Sequence, residues 1–143
     1  MDKTIKFEIV TPERTVLRED VAEVTIPTNQ GEITVLPKHT PLIAFLQPGV
    51  LTLKKKDGEK SVAFVSGGFV EVFKNKVVVL ADAAERAEEI DLAKVEEAKR
   101  RAEEAMSRLR GEDAAQFAEV SAQLERELAR TRAVKKWKNI KTS

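Results

Sequence analysis

Chemistry at a protein surface needs a nucleophile, a base or a ligand set, and this chain offers few of them. His39 is the only histidine and cysteine is absent. No second imidazole or thiolate exists to complete a metal site or a nucleophile–base pair. By residue type alone, His39 reads as a loop imidazole satisfied by backbone. Gly67-Gly68 lacks the glycine spacing of a dinucleotide or P-loop cradle and reads as a tight turn between strands. The acidic pairs Glu88-Glu89 and Glu103-Glu104 sit in a charge-rich stretch and read as a solvated helix face rather than as catalytic carboxylates. No enzyme activity of the isolated chain is expected, and no cofactor is required. What stands out is a basic tail. Arg126, Arg130, Arg132, Lys135, Lys136, Lys138 and Lys141 face one acid, Glu127, with Trp137 among them. Such a run can complement its own helix dipole, hold phosphates beside a stacking tryptophan, or meet an acidic protein surface.

The elements that must position these residues divide near Ala83. All five prolines and five of the six glycines lie at or before Gly68, whereas thirteen alanines lie from Ala83 onward. The first part alternates like half-buried strands: Ile5, Phe7 and Ile9, then Val24 and Ile26, then Ile33 and Val35. Leu51 and Leu53 precede Asp57-Gly58 and Val62–Val65, which predicts a hairpin with a type I′ turn. Val70–Phe73 and Val77–Leu80, around Lys74-Asn75-Lys76, predict a second hairpin. In the second part, Val95, Ala98, Ala102, Ala105 or Met106, and Leu109 form one narrow helical stripe. Glu96/Arg100, Glu97/Arg101 and Glu104/Arg108 are spaced as supporting ion pairs. Arg110-Gly111 predicts a helix stop, Asp113 with Gln116 a new helix cap, and Phe117, Val120 or Ser121, Leu124 and Leu128 a second stripe. The expected fold is α+β: an antiparallel β-sandwich anchor over residues 1–84, then an antiparallel two-helix hairpin over 85–143. Few large apolar residues support that hairpin, so marginal stability alone is expected.

Composition narrows the function class. The net charge of +1 gives the whole chain no strong handle for nucleic acid or membrane. The start, MDKTIKFEIV, lacks a signal-peptide core, no apolar run approaches a membrane span, and the absence of cysteine suits the cytosol. A soluble protein is expected unless something tethers it.

Three ordered blocks carry a family resemblance. They are Gly31-Glu32-Ile33-Thr34-Val35-Leu36-Pro37-Lys38-His39-Thr40-Pro41-Leu42; Gln47-Pro48-Gly49-Val50 with Ser66-Gly67-Gly68-Phe69-Val70-Glu71-Val72; and Val79–Arg86 before Ile90-Asp91. In this order and spacing the chain resembles the epsilon subunit of rotary proton-translocating ATP synthase, over nearly its whole length. The resemblance implies a non-catalytic rotor subunit that joins the gamma shaft to the c-ring, with a hairpin that extends toward the catalytic head and restrains ATP hydrolysis. It implies a peripheral location at the cytoplasmic face of the cell membrane, held there through the complex. Carried over by position, Glu32 faces the polar loops of the c-ring and His39 lies near gamma. Arg126, Arg130, Arg132, Lys135 and Lys136 would meet acidic groups on the beta subunits, with no nucleic acid as partner. The alternative is a free-standing module binding nucleic acid or acidic proteins through the basic end. In nucleotide-binding relatives the first helix opens Ile/Leu-Asp-x-x-Arg-Ala. Here Ile90-Asp91 keeps that start, while Lys94 and Val95 replace the arginine and alanine. Glu85, Arg101, Arg126 and Arg130 fall at matching positions, and Glu119 stands where binding members carry another arginine. ATP is therefore expected to be a weak regulatory ligand or none.

Overall fold

The computed structural model describes residues 4–109 and 113–142. Strand β1 (Ile5–Val10) buries Ile5, Phe7 and Ile9 on one side, as its period of two requires. It lies between β2 (Thr15–Val21) and β9 (Lys76–Leu80), and β8 (Phe69–Val72) and the edge strand β5 (Leu42–Phe45) complete that sheet. The second sheet runs β10 (Ala83–Arg86), β7 (Lys60–Ser66), β6 (Gly49–Lys54), β3 (Glu23–Thr28), β4 (Gly31–Val35). Their inner faces close one core around Phe7, Ile9, Ile26, Leu51, Val65 and Val79. Strand neighbours are antiparallel with one exception: β1 lies parallel to β9, with Phe7 opposite Val77. The expected sandwich is present.

The Asp57-Gly58 turn departs from the type I′ expectation. Gly58 has φ +92°, while Asp57 does not enter the left-handed region. Lys54 and Lys60 are the last paired residues, so five residues span the gap and a two-residue turn has no place. The Gly58 N–H donates to the Lys55 carbonyl at 2.9 Å, the Lys55 N–H to the Glu59 carbonyl at 2.8 Å, and Asp57 Oδ1 accepts from the Glu59 N–H at 2.9 Å. Gly67-Gly68 is the tight turn its residues imply. A Cβ on Gly68, at φ +87°, would collide with the Leu80 carbonyl.

Asp91 caps α1 (Leu92–Arg108), its Oδ1 accepting from the Ala93 and Lys94 N–H groups at 3.0 and 3.4 Å. Asp113 likewise accepts from the Gln116 N–H at 2.9 Å and opens α2 (Ala114–Thr142). The predicted stop at Arg110-Gly111 lies outside the described residues. Val95 and Ala102 are buried as the first stripe requires. Among the described residues, Glu97 pairs with Arg101 as expected, whereas Arg100 turns to Glu97 and Glu104 instead of Glu96. The second stripe needs correction. Phe117 stays half-exposed, and the buried residues of α2 lie nearer its end, including Ala129, Ala133 and Val134. The reason is the partner of that face. Ala129, Ala133 and Val134, late in α2, pack with Val62 and Phe64 of β7, a cluster that does not include Phe117.

That contact makes a second apolar cluster, separate from the sandwich core. Val62 and Phe64, on the outer face of β7, pack with Ala87, Ile90, Val95, Ala129, Ala133 and Val134. Alanines allow the helix backbone to approach the sheet closely, and Trp137 and Ile140 flank the seam.

Candidate functional site

Where α2 crosses β10 and the start of α1, three charged side chains meet. Arg130 sends Nη2 to Glu85 Oε1 on β10 at 2.5 Å and Nη1 to Glu127 Oε1 at 2.8 Å. Its guanidinium lies 5.1 Å from the centre of the Phe64 ring, a cation–π contact. The Glu127 side chain is only 6% exposed, and its Oε2 has no hydrogen-bond partner among the described residues. The one cation is thus shared by two carboxylates.

This network lines a cleft of about 370 Å³ together with Glu89, Ile90, Asp91, Lys94, Val95 and Ala98. Of the residues matched to a nucleotide site, Glu85, Ile90, Asp91, Lys94 and Arg130 come together here. Arg126 lies half-buried on α2 without lining the cleft, and Glu119 is exposed nearer the start of α2. Arg101 is exposed on α1 and pairs with Glu97 at 3.3 Å. The Arg100 guanidinium, by hydrogen bond and by charge, holds the Glu97 carboxyl below its ordinary value, and Glu97 raises Arg100 in turn. Four acids and two bases line the cleft. Glu89 is paired with Arg14 at 2.9 Å, and Asp91 is occupied in capping α1. Among the described residues, the arrangement offers a phosphate one cation without an ion-pair partner, the exposed Lys94, and several carboxylates. Glu127 is a residue that the motif comparison passed over. Its signal was available: a single acid embedded in a basic, alanine-rich helix end.

The basic tail is split by the docking seam. Arg132, Lys135 and Lys136 are exposed, while Trp137 packs, partly buried, beside the apolar cluster.

The opposite side of the sandwich holds Glu32 and His39. Glu32 is exposed on the edge strand β4, and His39 sits half-buried in the β4–β5 connection. His39 Nδ1 lies 2.6 Å from the Thr40 carbonyl, which can only accept, so Nδ1 donates the proton. Lys38 beside it takes the left-handed conformation, φ 66°, and its N–H donates to the Lys74 carbonyl at 2.9 Å. This joins the connection to the β8–β9 turn, next to Phe73. On β5, Ile43 is 71% and Phe45 65% exposed, and Leu36 and Phe73 are also open. An edge strand with large exposed apolar side chains marks a surface that another chain covers. Sequence alternation missed β5 because both its faces carry apolar residues.

Two family models cover the chain. The one described as ATP synthase, Delta/Epsilon chain, beta-sandwich domain matches residues 4–87. The one described as ATP synthase, Delta/Epsilon chain, long alpha-helix domain matches residues 88–135. Among curated relatives, the ATP synthase epsilon chain of Nitratidesulfovibrio vulgaris is 45% identical over 132 residues, covering 92% of this chain and 96% of that one. That of Pelotomaculum thermopropionicum is 51% identical over 107 residues, covering 75% and 79%. A chain in the cryo-EM structure of Euglena gracilis mitochondrial ATP synthase, OSCP/F1/c-ring, has a TM-score of 0.80 at 29% identity, covering 94% of this chain and 83% of that one.

Proposed function

The chain belongs to the ATP synthase delta/epsilon chain family, and from that membership we propose that it couples the gamma shaft to the c-ring as a non-catalytic rotor subunit. The observation that carries the reading is the apolar edge at β4 and β5. Ile43 and Phe45 are exposed on β5, Leu36 and Phe73 in the adjoining loops, while β4 carries the exposed Glu32 and the β4–β5 connection His39. Apolar side chains of this size supply docking energy, with a polar rim setting register. The hairpin docks on the outer face of β6 and β7, and β4 and β5 are the far edges of their sheets. Docking on gamma therefore proceeds whether the hairpin is down or released.

The hairpin supplies the regulatory half. Its seam with the sandwich is a cluster apart from the sandwich core, so it can open without unfolding the anchor. Extended, α2 would carry Arg126, Arg130, Arg132, Lys135 and Lys136 to acidic groups on the beta subunits and restrain ATP hydrolysis. Exposed charge contacts of this kind weaken with salt. No helix among the described residues is long and apolar enough to cross a membrane, which fits a peripheral subunit held at the cytoplasmic face of the membrane through the complex.

The test is co-purification with gamma of the chain carrying Ile43→Asp and Phe45→Asp, paired with hydrolysis by complexes lacking residues 88–143. Loss of gamma binding by the folded double variant, and faster hydrolysis at low salt without the hairpin, are expected. Undiminished gamma binding would refute the anchor surface, and unchanged hydrolysis would refute the restraint.

A further inference from the structure

We propose that Glu127 is a built-in anion that closes the α1–α2 cleft to phosphate ligands, making it the specificity-determining residue of that cleft. The argument begins with Arg130, one of the two cations lining the cleft. A phosphate entering there would need its guanidinium. In this chain Nη1 is held by Glu127 at 2.8 Å and Nη2 by Glu85 at 2.5 Å. The two carboxylates differ in what they can do about a competitor. Glu85 is 29% exposed and can turn toward water, whereas Glu127 is 6% exposed and cannot leave without lifting α2. Glu127 lines the cleft, and with its Oε2 buried and without a hydrogen-bond partner among the described residues it keeps negative charge beside the space a phosphate would enter. A phosphate arriving there meets an arginine whose two terminal nitrogens are already engaged, leaving only its buried Nε unpartnered among the described residues, beside a carboxylate whose charge repels it. Lys94, at the start of α1, is then the remaining cation, and it gives a point charge rather than a planar fork.

Removing the charge while keeping the shape should therefore open the cleft. A single close charge changes an ion's equilibrium by about tenfold to a thousandfold, so Glu127→Gln should raise affinity by about tenfold or more. The experiment is calorimetry on the full chain with inorganic triphosphate, and in a second arm with ATP, which separates recognition of the phosphates from any contribution of the base. Wild type should give no saturable heat at millimolar ligand. Glu127→Gln and Glu127→Ser should bind triphosphate, and adding Arg130→Gln to either should abolish the gain. Glu85→Gln should gain less, because Glu127 still holds the arginine. Micromolar binding by wild type, a folded Glu127→Gln chain that binds no better, or an equal gain from Glu85→Gln would each overturn the proposal. So would loss of the docked hairpin in both Glu127 variants, which would assign the residue to stability alone. Because the assay uses the isolated chain, its outcome is independent of whether the chain docks on gamma.

Discussion

Replacing Phe64 by alanine should release the hairpin while sparing the sandwich. Phe64 is fully buried, and it faces the hairpin, not the core between the sheets. Deleting a buried phenylalanine costs about 3–5 kcal/mol, and the low end applies here because the seam can shift toward the sheet. The ring also supports Arg130 at 5.1 Å, which adds about 0.5 kcal/mol for a cation that retains contact with water. The sum, about 3.5 to 4 kcal/mol, lowers the ratio of docked to released hairpin by several hundredfold to a thousandfold. Almost none of this should fall on β1 or β9, whose contacts belong to the other cluster. Amide hydrogen exchange on the isolated variant reads both parts at once: residues 129–137 of α2 should lose protection by that factor, while Phe7 and Val79 keep theirs. In the assembled enzyme, under the restraint proposed above, the same variant should hydrolyse ATP more slowly. Protection lost equally from β1 and α2 would refute the separation of the two clusters. Unchanged protection of α2 would refute the seam itself.

Other outcomes follow from the same geometry. Ile43→Asp should leave the unfolding free energy of the isolated chain within about 0.5 kcal/mol of wild type, because its side chain is 71% exposed, while gamma binding is lost in co-purification. A fragment ending at Ala87 should melt cooperatively and above one ending at Ala84, because Glu85 and Arg86 pair with Phe64 and Ala63 of β7; equal melting curves would show that the last strand residues add nothing. The depressed pKa of Glu97 gives its contribution a sign. The ion pair with Arg100 supports α1 above the ordinary carboxylate value of 4.5 and is lost as pH falls through the lowered one, so helicity measured by circular dichroism should fall only below that range. Glu97→Gln should flatten that profile.

Much of this architecture was legible in the sequence because the signals are local. Alternation at Ile5, Phe7 and Ile9 needs no knowledge of the rest of the chain, and neither does capping by Asp113, whereas the cap at Asp91 was not read from the sequence. The losses came where a residue answers to distant neighbours. Val16 and Leu17 are both buried in β2, so strict alternation fails there. Ile43 and Phe45 are apolar yet exposed, and read as noise in a core pattern. The unbroken run Val62–Val65 was the hidden clue to docking, since a strand buried on both faces must be covered on both. Read with Ala129, Ala133 and Val134 at helical spacing, it would have placed α2 on the sheet. The candidate cleft was half legible. Motif positions located Glu85, Asp91, Lys94 and Arg130, but whether Arg130 stands free or neutralised depends on a side-chain contact that no motif records.

The parallel pairing of β1 with β9 sets an order of events during synthesis. Lys6 waits for Lys76, about 70 residues later, before its strand gains a second neighbour. Closing so long a loop is entropically slow, and it cannot begin until the ribosome has released most of the sandwich. Until then the nascent chain presents the apolar flank of β1 with only the hairpin partner β2 beside it. The helices follow every strand in the chain, so the outer face of β7 that they cover is synthesised before them. The arm is thus the last part of the chain to be made, and a release and return of the kind proposed above would repeat only that final docking step.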